Sequence, residues 1–250
     1  MSLLTALLLL LAGLAVGATS IGGIVVVPVL TELARVPLQE AIAASSFGFL
    51  FTGAAAVFLQ GIAARNSGSE SQSSFGGLYG AALAGAALGA LTLTWLPPVL
   101  ARSIIAALAV LSGVVALSRT EPARISGAMQ YPQRTSTLIT LGVVVGCASA
   151  WSGTGGPVLL LPILMLARMP TVLAIEMAQG IQLPIAAAAT AVNILNGTLN
   201  FQLGLPLGLL LLSGWAVGRI LSRRLSVIVL RQLIAWGITA VGLWYGWQSF

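Results

Sequence analysis

Hydrophobic residues fill this chain in long blocks rather than in alternation. Runs without a charged residue extend over 1–31, 41–64, 71–101, 135–167, 177–218 and 232–250, and a helix needs roughly 20 apolar residues to cross a hydrocarbon core. Leu, Ala, Gly and Ile dominate these runs with no period of two, which predicts helices and not barrel strands. The pattern predicts spans at 38–63, 75–95 and 99–118, and again at 171–195, 205–222 and 230–248. Each set follows a glycine-interrupted segment, 2–33 in one case and 138–167 in the other. The expected fold class is an all-α polytopic membrane protein.

Composition agrees, with 58% apolar and only 6% charged residues, against about 25% charged in a soluble domain. The charge is +6, from 11 arginines and 5 acids. The arginines sit singly or in pairs in short connections, as topology signals do. A nucleic-acid surface would gather them on one soluble face, and no soluble segment here is long enough to fold alone. There is no histidine or lysine and one cysteine, Cys147. A zinc, haem or disulfide site is thereby excluded for this chain alone, a P-loop lacks its lysine, and no pair of acids in the spans offers acid–base chemistry. Neither an enzyme nor a cofactor is expected. Residues 2–18 imitate a signal peptide but lack its basic start, and they have a counterpart deep in the chain.

That counterpart belongs to an internal repeat. Gly13 to Ser20 matches Gly142 to Ser149, a glycine pair follows in each copy (Gly22-Gly23, Gly155-Gly156), and then Pro28-Val29-Leu30 matches Pro162-Ile163-Leu164. Ala34-Arg35-Val36-Pro37 answers Ala167-Arg168-Met169-Pro170, and Gly85, Gly89, Arg102 and Gly113 correspond at one constant offset to Gly214, Gly218, Arg231 and Gly242. The chain divides into an N-terminal repeat, 1–118, a polar linker, 119–136, and a C-terminal repeat, 137–250.

Arginine placement bears on topology. If both glycine-broken segments cross the membrane, seven arginines face one side and four the other; if both turn back, the split is nine to two. The second fits the positive-inside rule better and puts the linker and the 219–231 loop in the cytoplasm. Three spans per copy then force the copies into opposite orientations. Two inverted repeats result, each a re-entrant hairpin plus three transmembrane helices. The alternative is eight spans in a parallel repeat.

Polar backbone at membrane depth survives only where protein or trapped water satisfies it, so the breaks face a cavity. In a hairpin the second helix starts near the midplane, and its free N–H groups and positive dipole end favour an anion. The candidate binding residues at the breaks are Thr19, Ser20, Gly22, Gly23, Ser149, Trp151, Ser152, Gly153, Thr154, Gly155 and Gly156. Close helix packing uses the same residue types, but the polar row Ser152 to Gly156 is long for packing alone. The next span is the opposite wall. It supplies Gln179, Gln182, Thr190 and Asn193 near one helical face in the second copy, and Ser46, Gly53 and Gln60 in the first. For each of these, lining and interhelical hydrogen bonding are competing readings. Glu176 either carries a coupling proton or pairs with Arg168 or another interfacial arginine, and Trp151 either gates the site or packs.

The motifs Ser20-Ile21-Gly22-Gly23 with Pro28-Val29-Leu30, and Gly153-Thr154-Gly155-Gly156 with Pro162-Ile163-Leu164, resemble the paired glycine-rich signatures of the sulfite exporter TauE/SafE family. Ser20 and Ile24 stand where that family commonly has glycine. The resemblance implies a bacterial inner-membrane carrier of sulfite, a sulfonate such as sulfoacetate, thiosulfate or another small organic anion. Alternating access about a midplane site is the expected mechanism; a passive anion channel, or a carrier of non-sulfur organic anions, is the alternative. The expected partners are the small anion, the bilayer, a coupling proton or sodium ion, and a second copy in a homodimer. No metal site and no nucleic acid are expected.

Overall fold

The computed structural model describes residues 2–67, 75–118, 135–167, 169, 171–222 and 227–247, and every regular element among them is helical. Linker residues 119–134, the 223–226 part of the basic loop, Arg168 and Pro170 lie outside the described residues, and 135–136, expected in the linker, open α6 instead. α1 (Leu3–Thr19) is followed by α2 (Gly22–Leu33), α3 (Leu38–Ser67), α4 (Gly76–Leu93) and α5 (Pro98–Ser118). Beyond the linker come α6 (Thr135–Ser152), α7 (Pro157–Leu166), α8 (Thr171–Gly180), α9 (Gln182–Leu195), α10 (Phe201–Leu221) and α11 (Val227–Trp247). Five stretches, Leu38–Ile62, Gly76–Leu93, Pro98–Leu117, Leu173–Leu195 and Phe201–Leu221, are long and apolar enough to cross a membrane. The chain is therefore a multi-pass helical membrane protein.

Helix ends follow local chemistry. Ser2 caps α1 by accepting from the Thr5 N–H at 3.2 Å, and Asn200 caps α10 by accepting from the Gln202 N–H at 3.0 Å. That cap starts α10 four residues before the expected position 205, because Pro206 sits inside the helix instead of opening it. α2 is irregular: a 3₁₀ turn at Gly22–Val25 leads through Pro28 into a π turn at Val29–Leu33. Proline supplies no N–H to the ladder, so its neighbours wind differently.

Small residues set the helix pairs. On α1, a Cβ added at Gly13 would lie 2.5 Å from the Leu211 carbonyl oxygen of α10, and one at Gly17 would overlap the Trp215 carbonyl. Gly214 and Gly218 press back on Leu10 and Leu14. α4 and α6 cross alike: Gly85 and Gly89 meet Val143 and Cys147, while Gly142 and Gly146 meet Leu78 and Ala82. Two glycines one turn apart let backbones approach where lipid provides no hydrophobic drive. The four glycine pairs are the ones the repeat equates, and each copy's first helix packs on the other copy's next-to-last, α1 on α10 and α6 on α4.

These contacts also fix directions. α1 runs parallel to α10, since Gly13 faces Leu211 and Gly17 faces Trp215; α3 does too, with Phe47 at Gly204 and Phe51 at Gly208. α1 and α3 thus point the same way, so the chain between them doubles back. α3 runs opposite to α8 and α9, with Gly53 at Leu183 and the Gln60 amide on the Glu176 carbonyl. α5 and α11 are likewise antiparallel, with Arg102 near Tyr245 at one end and Gly113 on Ala235 towards the other.

Candidate functional site

The breaks are built by backbone conformations that ordinary residues avoid. α1 stops at Ser20, whose φ of 64° lies in the left-handed region and whose N–H donates to the Val16 carbonyl at 2.9 Å. A serine held there costs about 1–2 kcal/mol. The second break places glycine where that strain arises: Gly153, Gly155 and Gly156 have φ of 64°, 77° and 104°. Pro157 then opens α7 at a position whose N–H has no helical partner to lose.

Tertiary packing brings the two breaks together. A Cβ at Gly23 would sit 3.0 Å from the Thr154 carbonyl oxygen and 2.8 Å from the Phe49 ring; one at Gly155 would sit 3.0 Å from the same ring. Phe49, 1% exposed, is wedged between them. One turn earlier on α3, Ser45 donates from Oγ to the Gly153 carbonyl at 2.6 Å. Three residues after Phe49, Thr52 Oγ1 accepts from Gln182 Nε2 at 2.6 Å, and Gln182 lies beside Gly155. The face of α3 that meets the breaks is therefore Ser45, Phe49 and Thr52. It is offset by one residue from the stripe of Ser46, Gly53 and Gln60.

An arginine reaches the first break indirectly. Gln179 donates from Nε2 to Ser20 Oγ at 3.0 Å and accepts from Arg219 at 3.2 Å. The Arg219 guanidinium lies 5.5 Å from the centre of the Trp215 ring, one turn back on α10. The cation thereby orients the amide that holds Ser20.

The other predicted residues divide by how their polar atoms are used. Thr19, Ser46 and Ser152 donate to carbonyls of their own helices, Ala15, Ile42 and Ala148, and Ser152 also contacts Thr154 Oγ1 at 2.9 Å. The Trp151 indole N–H donates to Thr92 Oγ1 at 2.9 Å, which ties the end of α6 to α4. Gln60 donates to the Glu176 carbonyl at 3.0 Å, and the Glu176 side chain is exposed. Asn193 is buried, its backbone and side-chain carbonyls accepting from Thr198. Ser149 Oγ and Thr190 Oγ1 are buried and have no hydrogen-bond partner among the described residues. Ser149 lies one turn before the second glycine break.

Ser45, Phe49, Thr52 and Arg219 escaped the sequence reading. The spacing 45, 49, 52 is a helical face, but a phenylalanine in an apolar run carries no mark of its partner. Arg219 looked like one more charge of the basic loop.

A family model, the sulfite exporter TauE/SafE model, matches residues 61–245. The chain belongs to the sulfite exporter TauE/SafE family. The matched region contains the second break, α7 and the Gln179–Gln182 wall; the first break precedes it. No curated protein and no solved structure matches the chain. Membership agrees with a membrane transport protein, and the TauE/SafE chain described above buries both of its glycine-rich breaks.

Proposed function

We propose that this protein is a secondary carrier of a small sulfur-containing anion, sulfite or an organosulfonate such as sulfoacetate, with one site at the junction of the two breaks. The contact of Gly23 with the Thr154 carbonyl, around Phe49, carries this reading. It brings two runs of close-approach backbone, the start of α7 and the orphaned Ser149 hydroxyl into one buried region. Donors of this kind suit an oxyanion and tolerate differences among sulfite, sulfonate and carboxylate. Arg219 supplies the compensating charge through Gln179 and Ser20.

The helix directions support inverted repeats with re-entrant hairpins. α1 and α3 run the same way, and the equivalent pairs α3 with α8–α9 and α5 with α11 run in opposite ways. In this reading the breaks lie at the midplane of a bacterial inner membrane, the linker and the 219–231 loop are cytoplasmic, and one copy moves against the other to alternate access. Coupling to a proton or sodium ion and assembly as a homodimer complete the proposal. Glu176, exposed three residues before Gln179, is the acid offered for coupling.

Proteoliposome transport tests it, with a panel of sulfite, thiosulfate, sulfoacetate and small carboxylates, with and without a proton gradient. A sulfur oxyanion or sulfonate should move saturably and faster than the carboxylates, and Gly155→Leu should abolish that movement. Absence of any transport, or an unaffected Gly155→Leu, would sink the reading.

A further inference from the structure

A second concavity stands beside the breaks. A cavity of about 320 Å³ opens between the start of α3 and the α4–α5 turn, walled by Pro37, Leu38, Ile42, Leu93, Leu96 and Arg102 among others. Its Ile42 wall is also the backing of the second break: a Cβ at Gly153 would meet the Ile42 Cα at 3.1 Å and its carbonyl oxygen at 3.3 Å. One residue of α3 thus touches both. The remaining walls are Gln39, Pro98 and Ala101, so the charged group in the lining shares it with one other polar side chain, the uncharged Gln39.

That group is Arg102, and its bonding is incomplete. Its only ion-pair contact among the described residues is with Glu32 Oε1 at 4.0 Å, at the outer limit for such a pair. Its guanidinium lies 5.9 Å from the centre of the Tyr245 ring. The Nε–H is buried and has no hydrogen-bond partner among the described residues, although the side chain as a whole is 36% exposed. The head is reachable from water, yet one donor has been desolvated with no acceptor. Arginine presents its donors as a planar fork that fits carboxylate, sulfonate or sulfite oxygens. A loosely held acid and an unused donor on a cavity wall describe a cation whose partner can be exchanged.

We propose that this cavity is an outer anion vestibule of the carrier, in which Arg102 holds the acid group of the passing anion and Glu32 is the resident counter-anion that it displaces. The vestibule rests on the reading of the breaks as the transport site. It serves the face of the protein at the starts of α3 and α5, and Arg219 lies towards the other face. Glu32 sits on α2, the helix that follows the first break, so releasing it from Arg102 frees an anchor of that hairpin while the anion waits behind Ile42. The anion needs no particular element at its centre; an oxyanion head of the sulfite, sulfonate or carboxylate type suffices.

Saturable uptake by proteoliposomes tests this with radiolabelled sulfite and sulfoacetate as probes, added in turn to each face of oriented vesicles. Arg102→Gln should raise KM about fivefold when the anion is presented to the Arg102 face and leave KM at the opposite face unchanged. Arg102→Lys should recover most of the affinity. Glu32→Gln should lower KM at the Arg102 face, a gain that a misfolded protein does not produce. Arg102→Gln and Glu32→Gln both matching the wild-type KM at that face, with Gly155→Leu inactive, would overturn the vestibule and leave the site at the breaks intact. Wild-type transport by Gly155→Leu would remove the site, and the vestibule with it.

Discussion

The Gln179 amide donates to Ser20 Oγ at 3.0 Å across a separation of 159 residues, so the end of α1 is held by α8. Ser20 holds a backbone conformation that favours glycine, and this bond helps keep it there. Substituting Ser20 by glycine separates the two roles, since strain is relieved and the hydroxyl is lost. Ser20→Gly should leave thermal stability in detergent near wild type while raising the transport KM by about tenfold. Gln179→Leu should raise KM similarly and lower stability by about 1 kcal/mol, because it also removes an acceptor from Arg219.

Gly156 has a φ of 104°, and a Cβ there would come within 2.7 Å of Ile185 Cδ1. Gly156→Ala should therefore cost about 1–3 kcal/mol from backbone strain alone. Pairing it with Ile185→Val relieves the clash and not the φ. The double variant should recover less than half of the lost thermal stability; full recovery would show that the strain is unimportant.

The α1–α10 crossing depends on contact with no side chain between the backbones. Gly17→Leu forces the helices apart at Trp215 and should prevent the protein from surviving extraction as a monodisperse species. Gly61→Ala, where a Cβ would meet nothing within 4 Å, is the matched control and should behave as wild type in size-exclusion chromatography and thermal unfolding.

Hairpins and crossing helices differ in which loops share a side. In a Cys147→Ala background, single cysteines at Arg35 and Ser222 should react with membrane-impermeant maleimide from opposite faces of oriented vesicles. Labelling of both from one face would require α1–α2 and α6–α7 to cross the membrane and would discard the inverted arrangement.

What was legible in the sequence followed from periods and exclusions that act locally. The spans, the polar breaks and the family signature all arise because a helix in lipid must satisfy its own backbone and carry apolar side chains, and each residue reports on that condition by itself. The equivalence of Gly13 and Gly17 with Gly142 and Gly146 was legible for the same reason. That these glycines pair with Gly214, Gly218, Gly85 and Gly89 was not, because a repeat says which positions are alike and not which of them touch.

The site divides in the same way. Gly153 to Gly156 announced a break by composition, yet its neighbours depended on the rotation of α3 about its axis. One residue along a helix turns a side chain by about 100°, so Ser45 meets Gly153 while Ser46 bonds to its own helix. Phe49, Thr52 and the reach of Arg219 to Gln179 were settled by that rotation and by the α3–α10 and α1–α10 crossings. The sequence by itself determined that this chain lives in a membrane and breaks its helices twice; only tertiary packing decided that both breaks close on one phenylalanine, because that contact joins helices whose order in the chain does not imply their order in space.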